Sequence, residues 1–394
     1  MSHAPLGLYI HVPFCTVKCS YCDFNSYAGI EDMQAEWEAA ALTELSLWAP
    51  RLRGREVSTV FIGGGTPSLL PGESIERLLD ATDSQLKLSV DAEITLEANP
   101  ESVHPQNLRR YRIAGVNRIS MGVQSLDSNE LVFLDRIHGA QRAQDAFAEI
   151  RAAGFDNVNL DLIYGLPGQS LSTWQSTLEQ VLTWSGNGPD HISCYALTVE
   201  EGTPLAARVA AGQIIEADPD YVAEIADWTA ERLARAGFEQ YETSNYARDG
   251  LTCRHNLIYW RNQEYAAIGP GAHGFIDGLR YHVVRSPKAY IDRLRNVRNA
   301  DPTPSGAEGL PSPAIAGAER VSELENVIDT LTSGLRLTEG IDEAALPPIY
   351  QQLRPVLDWA VDNHLAQREE SRLSLTRRGH AVANEIFVRL LEHG

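Results

Sequence analysis

Three cysteines near the start of the chain restrict its fold and chemistry more than any other feature. Cys15, Cys19 and Cys22 have C-x3-C-x2-C spacing, on a predicted loop directly after the apolar strand candidate Leu8–Val12. Three thiols at this spacing can ligate three corners of a [4Fe-4S] cluster, which ordinarily takes four cysteines. The missing fourth ligand leaves one iron free to bind a small molecule. The alternative is a zinc knuckle or a loop of free thiols, but a closed zinc site needs four Cys or His ligands and no second pair follows nearby.

Charge and cysteine content exclude several classes of protein. The formal net charge of -20, from 53 acidic and 33 basic residues, repels phosphate backbones, so we predict no nucleic-acid partner. No apolar run approaches the ~18 to 20 residues that span a membrane, which leaves only peripheral membrane contact open. Cys194 and Cys253 lie far apart in the sequence. The odd total of five cysteines and the lack of a secretory signal predict a cytoplasmic protein without disulfides.

Apolar strand candidates alternate with helix patterns over the first two thirds of the chain. The strand candidates are Leu8–Val12, Val57–Ile62, Ala92–Leu96, Arg118–Val123, Val158–Ile163 and Ile192–Leu197. The helix patterns are Met33–Trp48, Ser74–Gln85, Pro105–Ala114, Gln141–Ala153 and Leu171–Trp184. This alternation predicts an α/β fold in which helices cover a parallel sheet.

Polar groups follow four successive strand candidates. The second is followed by Gly63-Gly64-Gly65-Thr66-Pro67, whose glycines let the backbone approach a ligand closely. The next three carry Glu97, Gln124 and Asp161 at their ends. Each residue alone is compatible with a helix cap or a turn. Together they favour one shared site, because ligands of parallel α/β sheets bind at the C-terminal ends of the strands.

These strings, with Tyr9-Ile-His-Val-Pro-Phe-Cys15, Glu97-Ala-Asn-Pro100 and Arg136-Ile-His-Gly139, resemble the radical S-adenosylmethionine (SAM) superfamily. Within it, the chain is similar to the oxygen-independent coproporphyrinogen III oxidase family from Leu8 to the C-terminus. The resemblance implies a partial (β/α)6 radical SAM barrel that binds a [4Fe-4S] cluster through Cys15, Cys19 and Cys22. In that family the matching positions contact SAM; here they are Tyr9, Tyr21, Gly64, Gly65, Thr66, Glu97, Gln124, Arg136 and Asp161.

Two departures from the oxidase indicate the heme chaperone (HemW) branch of the family. The oxidase motif continues to a fourth cysteine where this chain has Phe24, and the oxidase has a long N-terminal extension where only eight residues precede Tyr9. The run from Cys253 to Trp260 also resembles the H-N-x-x-Y-W heme-binding signature of the chaperones. The resemblance implies heme contacts from His255, Asn256, Tyr259 and Trp260. Neutral imidazole is a common heme ligand, and His273, in a nearby glycine-rich turn, is the alternative ligand. In the other interpretation, His255 caps a turn and the aromatic residues fill the core.

The sequence predicts a smaller C-terminal domain after a linker. We assign residues 1–235 to the radical SAM core barrel, 236–298 to a barrel extension with the heme signature and 299–317 to a Pro/Ala/Ser/Gly-rich linker. Residues 318–394 resemble a winged-helix-like α+β domain, with helices, a short strand pair around Leu365–Leu375 and a last helix from near Thr376 to Leu391. The acidic charge and the family context favour a lid or docking role for this domain over DNA binding.

The function that follows is delivery of heme to cytochromes or other apo-heme-proteins by a protein that binds heme, a [4Fe-4S] cluster and SAM. No catalytic residue is assigned, and a homodimer is compatible with the sequence. The alternative is an enzyme, the oxygen-independent coproporphyrinogen III oxidase, and a tRNA-modifying radical SAM enzyme is a more distant one. Phe24, the short N-terminus and the H-N-x-x-Y-W run favour the chaperone.

Overall fold

The computed structural model describes residues 6–295, 297 and 307–393. Its large sheet, in the described part of the chain, has the strand order β14-β13-β12-β11-β1-β4-β5-β6-β7-β8-β10-β9. The strands are β1 (Leu6–Val12), β2 (Phe14–Cys15), β3 (Tyr27–Ala28), β4 (Val57–Gly64), β5 (Leu88–Ala98), β6 (Arg118–Gln124), β7 (Val158–Tyr164), β8 (His191–Ala196), β9 (Glu239–Gln240), β10 (Asn245–Ala247), β11 (Tyr265–Ile268), β12 (His273–Ile276), β13 (Leu279–Val283), β14 (Ile315–Arg320), β15 (Ile341–Asp342), β16 (Ala366–Glu369) and β17 (Arg372–Leu375).

Helices cover this sheet and build the C-terminal part of the molecule. They are α1 (Gln34–Leu52), α2 (Gly72–Leu86), α3 (Pro105–Ile113), α4 (Ser128–Phe133), α5 (Ala140–Ala152), α6 (Leu171–Val181), α7 (Pro204–Ala210), α8 (Pro219–Arg235), α9 (Arg254–Trp260), α10 (Pro287–Leu294), α11 (Glu323–Gly334), α12 (Arg354–Asp362), α13 (Arg377–Ala381) and α14 (Ala383–Glu392). No helix among the described residues has the length and apolar character needed to cross a membrane.

The predicted α/β fold is confirmed. The six predicted strands are β1, β4, β5, β6, β7 and β8, and they pair in parallel in this order. Their C-terminal ends therefore meet at one edge, which is where the predicted polar groups lie. The sequence analysis did not predict β11, which pairs in parallel with β1 and continues the sheet into the antiparallel strands β12, β13 and β14.

Helix α9 lies at the opposite, N-terminal end of the strands. The Glu93 carboxylate on β5 accepts hydrogen bonds from the backbone N–H groups of Arg254 (2.9 Å) and His255 (3.0 Å). These are among the N–H groups that a helix leaves without intrahelical partners, and a carboxylate also suits the positive end of the helix dipole. A side chain at Gly7 on β1 would come within 3.0 Å of Ile258. Glycine at this position therefore lets α9 pack closely against the sheet.

A second hydrophobic core supports the C-terminal part. It is formed by α11, α12, the β16–β17 hairpin and α14, through residues such as Leu331, Leu357, Leu373 and Leu390. Ser322 and Glu325 form a capping box that starts α11. The predicted last helix is divided into α13 and α14 at Val382.

The predicted domain boundaries remain predictions, but two observations bear on the linker. Residues 299–306 of the predicted 299–317 linker lie outside the described part of the chain. Residues 315–317 belong to β14, which pairs with β13 at the edge of the large sheet. Strand β14, residues 315–320, therefore extends the barrel sheet, although its residues were predicted to belong partly to the linker and partly to the C-terminal domain.

Candidate functional site

A cavity of about 510 Å³ opens at the C-terminal ends of the parallel strands. It brings together most of the residues that the sequence analysis selected for the cluster and SAM. Those lining the cavity are Cys15, Cys19, Cys22, Tyr21, Gly64, Gly65, Thr66, Glu97, Gln124, Arg136 and Asp161.

The two ends of the cysteine loop pair with each other. Phe14 and Cys15 pair in parallel with Tyr27 and Ala28, and the backbone N–H of Cys22 donates to the carbonyl of Cys19 (3.2 Å). These contacts fold the loop so that all three thiols face one cavity. No three Cys, His, Asp or Glu side chains of the described residues converge closely enough to hold a single metal ion. In a four-iron cluster each thiolate binds a different iron, so the three thiols do not need to converge on one metal ion.

The Gly64-Gly65 backbone lies directly against the cysteine loop. Gly64 has φ +115°, a conformation that side chains disfavour, and a Cβ there would lie 2.6 Å from the His11 ring. A Cβ on Gly65 would lie 2.5 Å from the Phe14 carbonyl oxygen and 3.0 Å from Cys15 Sγ. The Thr66 hydroxyl lies 3.6 Å from the same sulfur. Only glycines permit this close packing, which leaves backbone beside the position of a cluster and its ligand.

Two buried carboxylates form the inner wall of the cavity. Glu97 Oε2 accepts a hydrogen bond from the Gly64 N–H (2.9 Å), and Asp161 accepts from Asn159 (2.8 Å) and Ser120 (3.3 Å). Burial and then the Asp161 charge raise the pKa of Glu97 to about 8, and burial also raises the pKa of Asp161. A ligand with positive charge, such as the SAM sulfonium, would stabilise both carboxylates in their ionised form.

Arg136 crosses the cavity between the cysteine loop and the strand ends. Its Nη2 donates to Asn99 Oδ1 (2.6 Å) and to the Gly122 carbonyl (2.8 Å), while Nη1 lies 4.0 Å from Cys19 Sγ. Its buried Nε has no hydrogen-bond partner within the described residues. This unused donor is compatible with a polar group of a bound ligand.

Sequence reasoning missed other polar residues of the cavity. Asn99 donates to the Thr66 hydroxyl (3.0 Å) and so joins two strand ends. Ser120 and Asn159 hold Asp161. Asn256, which was predicted to contact heme, lines this cavity as well. Asn99 lies two residues after Glu97 in the Glu97-Ala-Asn99-Pro100 string, so the sequence did indicate that its side chain lies near the end of the same strand. Nothing in the sequence around Asn159 marks it as a partner of Asp161 except the alternation of the strand.

Tyr9 lines a second cavity, of about 530 Å³, rather than the first. Its hydroxyl lies 3.0 Å from His11 Nδ1. The two cavities share Asp23, Phe24, Gly64 and Glu97 in their walls. Tyr9 therefore belongs to a neighbouring chamber and not to the group of residues around the cysteines.

The four signature residues on α9 do not face one common site, although His255 and Tyr259 contact each other. His255 is fully buried, with Nδ1 2.7 Å from the Thr59 hydroxyl and Nε2 2.8 Å from the Tyr259 hydroxyl. Burial lowers its pKa to about 3. Both ring nitrogens are thus occupied by side-chain hydroxyl groups inside the barrel, so His255 does not cap a turn as in the alternative interpretation.

The other three signature residues face different parts of the molecule. Asn256 lines the first cavity, and Tyr259 lines the second. The Trp260 ring lies 5.9 Å from the guanidinium of Arg336, beyond α11. The run therefore connects both cavities and the C-terminal part through one short helix.

Comparison with known proteins identifies relatives over almost the whole chain. The Radical SAM superfamily matches residues 9–181. The heme chaperone HemW of Mycobacterium tuberculosis (strain ATCC 25618 / H37Rv) is 39% identical over 99% of this chain and 96% of that protein. HemW of Escherichia coli (strain K12) is 43% identical over 75% of this chain and 80% of its own length. HemW of Bacillus subtilis (strain 168) is 33% identical, over 96% and 97%.

A solved structure shares the fold. Coproporphyrinogen III oxidase (HemN) from Escherichia coli, described as a radical SAM enzyme, has a TM-score of 0.80, covering 99% of this chain and 91% of that one. At 22% sequence identity, this likeness concerns the fold alone.

Proposed function

Because the chain belongs to the HemW family of radical SAM proteins, we propose that it is a heme chaperone. It binds heme, a [4Fe-4S] cluster and SAM, and it hands heme to apo-heme-proteins such as respiratory cytochromes. The observation that supports this proposal most is full-length similarity to HemW proteins, combined with a cavity that contains all three cysteines. With its five cysteines free, the protein is proposed to act in the cytoplasm.

The first cavity offers a place for the cluster and for SAM. Cys15, Cys19 and Cys22 would hold the cluster, and the Gly64-Gly65 backbone with Glu97 would contact SAM beside it. The other proposed SAM contacts in this cavity are Tyr21, Thr66, Gln124, Arg136 and Asp161, whereas Tyr9 lines the second cavity. When bound, such a cluster supplies an electron to the sulfonium of SAM. The protein holds buried carboxylates close to the place of a cationic ligand and limits the access of water.

Phe24 distinguishes this proposal from the oxidase. It occupies the position of the fourth cysteine in the oxidase motif, and 60% of its surface is exposed. Its exposed ring forms part of the wall between the two cavities. We interpret Phe24 as an apolar contact for a bound ligand, because its ring lines both cavities.

A heme titration of anaerobically reconstituted protein tests the proposal. We expect about one four-iron cluster per chain and a Soret band that saturates at about one heme per chain. Coproporphyrinogen III, supplied with SAM and a reductant, should not be converted to protoporphyrinogen IX. Steady formation of that product without heme binding would refute the chaperone and support the oxidase.

A further inference from the structure

The second cavity has the lining expected for a planar ligand with carboxylate groups. Its walls carry the aromatic rings of Tyr9, Phe24, Tyr259 and Tyr265, and its volume of about 530 Å³ lies in the range of ligand pockets. The Tyr259 and Tyr265 rings are 4.6 Å apart in an edge-on arrangement. Flat aromatic surfaces of this kind stack against large conjugated rings. This chamber is separate from the thiols but touches their cavity at Gly64 and Glu97.

Within the described part of the chain, three histidines lie in or beside this chamber, and one of them is available to a metal centre. His11 Nδ1 lies 3.0 Å from the Tyr9 hydroxyl, and its Nε2 lies 2.9 Å from the Asn25 carbonyl. His255 uses both nitrogens inside the barrel. His273 lines the chamber from β12 with an exposed side chain. Neither of its ring nitrogens has a hydrogen-bond partner within residues 6–295, 297 and 307–393.

The tyrosines of the lining are weaker candidates than His273 for the iron ligand. Burial raises the pKa of Tyr259 and Tyr265, which disfavours phenolate as an iron ligand. Neutral imidazole is the form that coordinates heme iron.

Arg285 supplies a cation at the edge of the same chamber. Within the described residues it makes one side-chain contact, from Nε to Asn25 Oδ1 at 3.4 Å, and no carboxylate pairs with it. A free guanidinium in a chain of net charge -20 is a strong candidate for recognising a carboxylate of the ligand, through two parallel N–H donors. Asp23 and Glu97 also line the chamber. The pKa of Glu97, raised to about 8, keeps that residue mostly uncharged at pH 7.

Asn25 fastens this chamber to the cysteine loop. Its Nδ2 donates to the carbonyls of Pro270 and Arg285, both at 2.8 Å. The glycine-rich turn before His273 fits around it, because a Cβ at Gly271 would lie 2.4 Å from Asn25 Nδ2. A ligand on His273 would therefore contact a wall that is continuous with the loop carrying Cys15, Cys19 and Cys22.

We propose that heme is bound in this second chamber, with His273 as the iron ligand and Arg285 pairing with one propionate. The inference rests on the proposed function, which supplies heme as the cargo. The iron ligand is then not the signature residue His255 but a residue five positions after the end of β11. The signature helix then contributes Tyr259 as a wall of the chamber rather than an axial ligand.

Heme titrations of the reconstituted full-length protein and matched variants test this assignment. In His273→Gly the Soret band should shift and the heme affinity should fall, and added imidazole should restore the wild-type spectrum. Such rescue is not expected if His273 has a merely structural role. Arg285→Gln should keep the Soret position but weaken heme binding about tenfold to a hundredfold, as expected for one lost charge-assisted hydrogen bond.

His282→Ala is the matched control. His282 pairs with His273 across the two strands, with ring centroids 5.7 Å apart, but does not line the chamber. This variant should keep the wild-type Soret band and affinity. A His273→Gly spectrum identical to the wild type, or a loss confined to His282→Ala, would overturn the chamber assignment while heme binding itself stands. Wild-type protein that binds no heme would refute the proposed function instead.

Discussion

Replacing Glu97 by glutamine should make the ligand-free protein more stable while weakening its binding of SAM. Glu97 is enclosed in the first cavity, and burial, followed by the Asp161 charge, raises its pKa from 4.5 to about 8. The native state therefore holds this proton more tightly than the unfolded chain does. The stability that comes with the proton is complete below about pH 4.5 and is lost as the pH rises to about 8.

The expected magnitude follows from the pKa. Each pKa unit corresponds to ~1.36 kcal/mol, so ionising Glu97 costs the ligand-free fold at most about 5 kcal/mol above pH 8. Water that enters the cavity reduces this cost, and we expect Glu97→Gln to gain about 2 to 5 kcal/mol at pH 8.5. Near pH 5 the variant and the wild type should differ little. Glutamine keeps the oxygen that accepts from the Gly64 N–H, so the geometry of the loop is preserved.

Urea denaturation of the cluster-free protein under reducing conditions, at several pH values between 5 and 8.5, measures the effect. Glu36→Gln is the control, because Glu36 is 57% exposed and pairs with Arg295 at the surface. This control should show no gain that grows with pH. Calorimetry on the reconstituted protein should show that Glu97→Gln binds SAM about tenfold to a hundredfold more weakly. If the stability difference between Glu97→Gln and the wild type is the same at every pH in this range, Glu97 is not a buried acid with a raised pKa.

Three further substitutions separate the parts of the site. Cys19→Ser should lose most of the cluster iron on reconstitution, while Cys194→Ala, outside the motif, should retain it; wild-type iron content in the first variant would disprove the ligand assignment. Gly64→Ala should abolish SAM binding measured by calorimetry, because Gly64 has φ +115° and the new Cβ would lie 2.6 Å from the His11 ring. The control Gly139→Ala should bind SAM normally, because no heavy atom of the described residues lies within 4 Å of its new Cβ. His255→Leu should lower the free energy of unfolding by about 2 to 4 kcal/mol, because it leaves two hydroxyl groups without their partner, and the folded variant should keep the Soret band; a changed band would return the iron-ligand role to His255.

The parallel sheet was predictable because each strand is buried by helices and so reads as a continuous apolar run. Val158–Ile163, for example, is separated from its neighbours by helix patterns, and the structure gives Val158–Tyr164. β11 was not predictable in the same way. It has only four residues, Tyr265–Ile268, and follows a helix of seven residues, so neither element reaches the length at which periodicity becomes informative.

The site at the strand ends was predictable for a related reason. In a parallel sheet, residues that follow successive strands must come together, so Glu97 and Asp161 could be assigned to one cavity before any distance was known. The division into two cavities was not predictable, because Tyr9 and Gly64 lie on adjacent strands, yet Gly64 lines both cavities and Tyr9 lines only the second. The His11 ring, which lines the second cavity, lies directly beside Gly64.

His255 shows why a motif alone does not identify a ligand. In the sequence an imidazole, an amide and two aromatic rings lie within six residues, His255–Trp260, and a heme site is one arrangement of those groups. On the helix, however, Tyr259 lies one turn after His255 on the same face and its hydroxyl contacts the imidazole, while Asn256 and Trp260 lie on other faces. Glu93 fixes the N-terminus of α9 at the closed end of the barrel, which turns the imidazole inward to Thr59. Within the described residues, the ring nitrogens of the exposed His273 have no hydrogen-bond partners. His273 begins β12, which lies beside the aromatic chamber because it pairs with β11, the strand that was not predicted from the sequence.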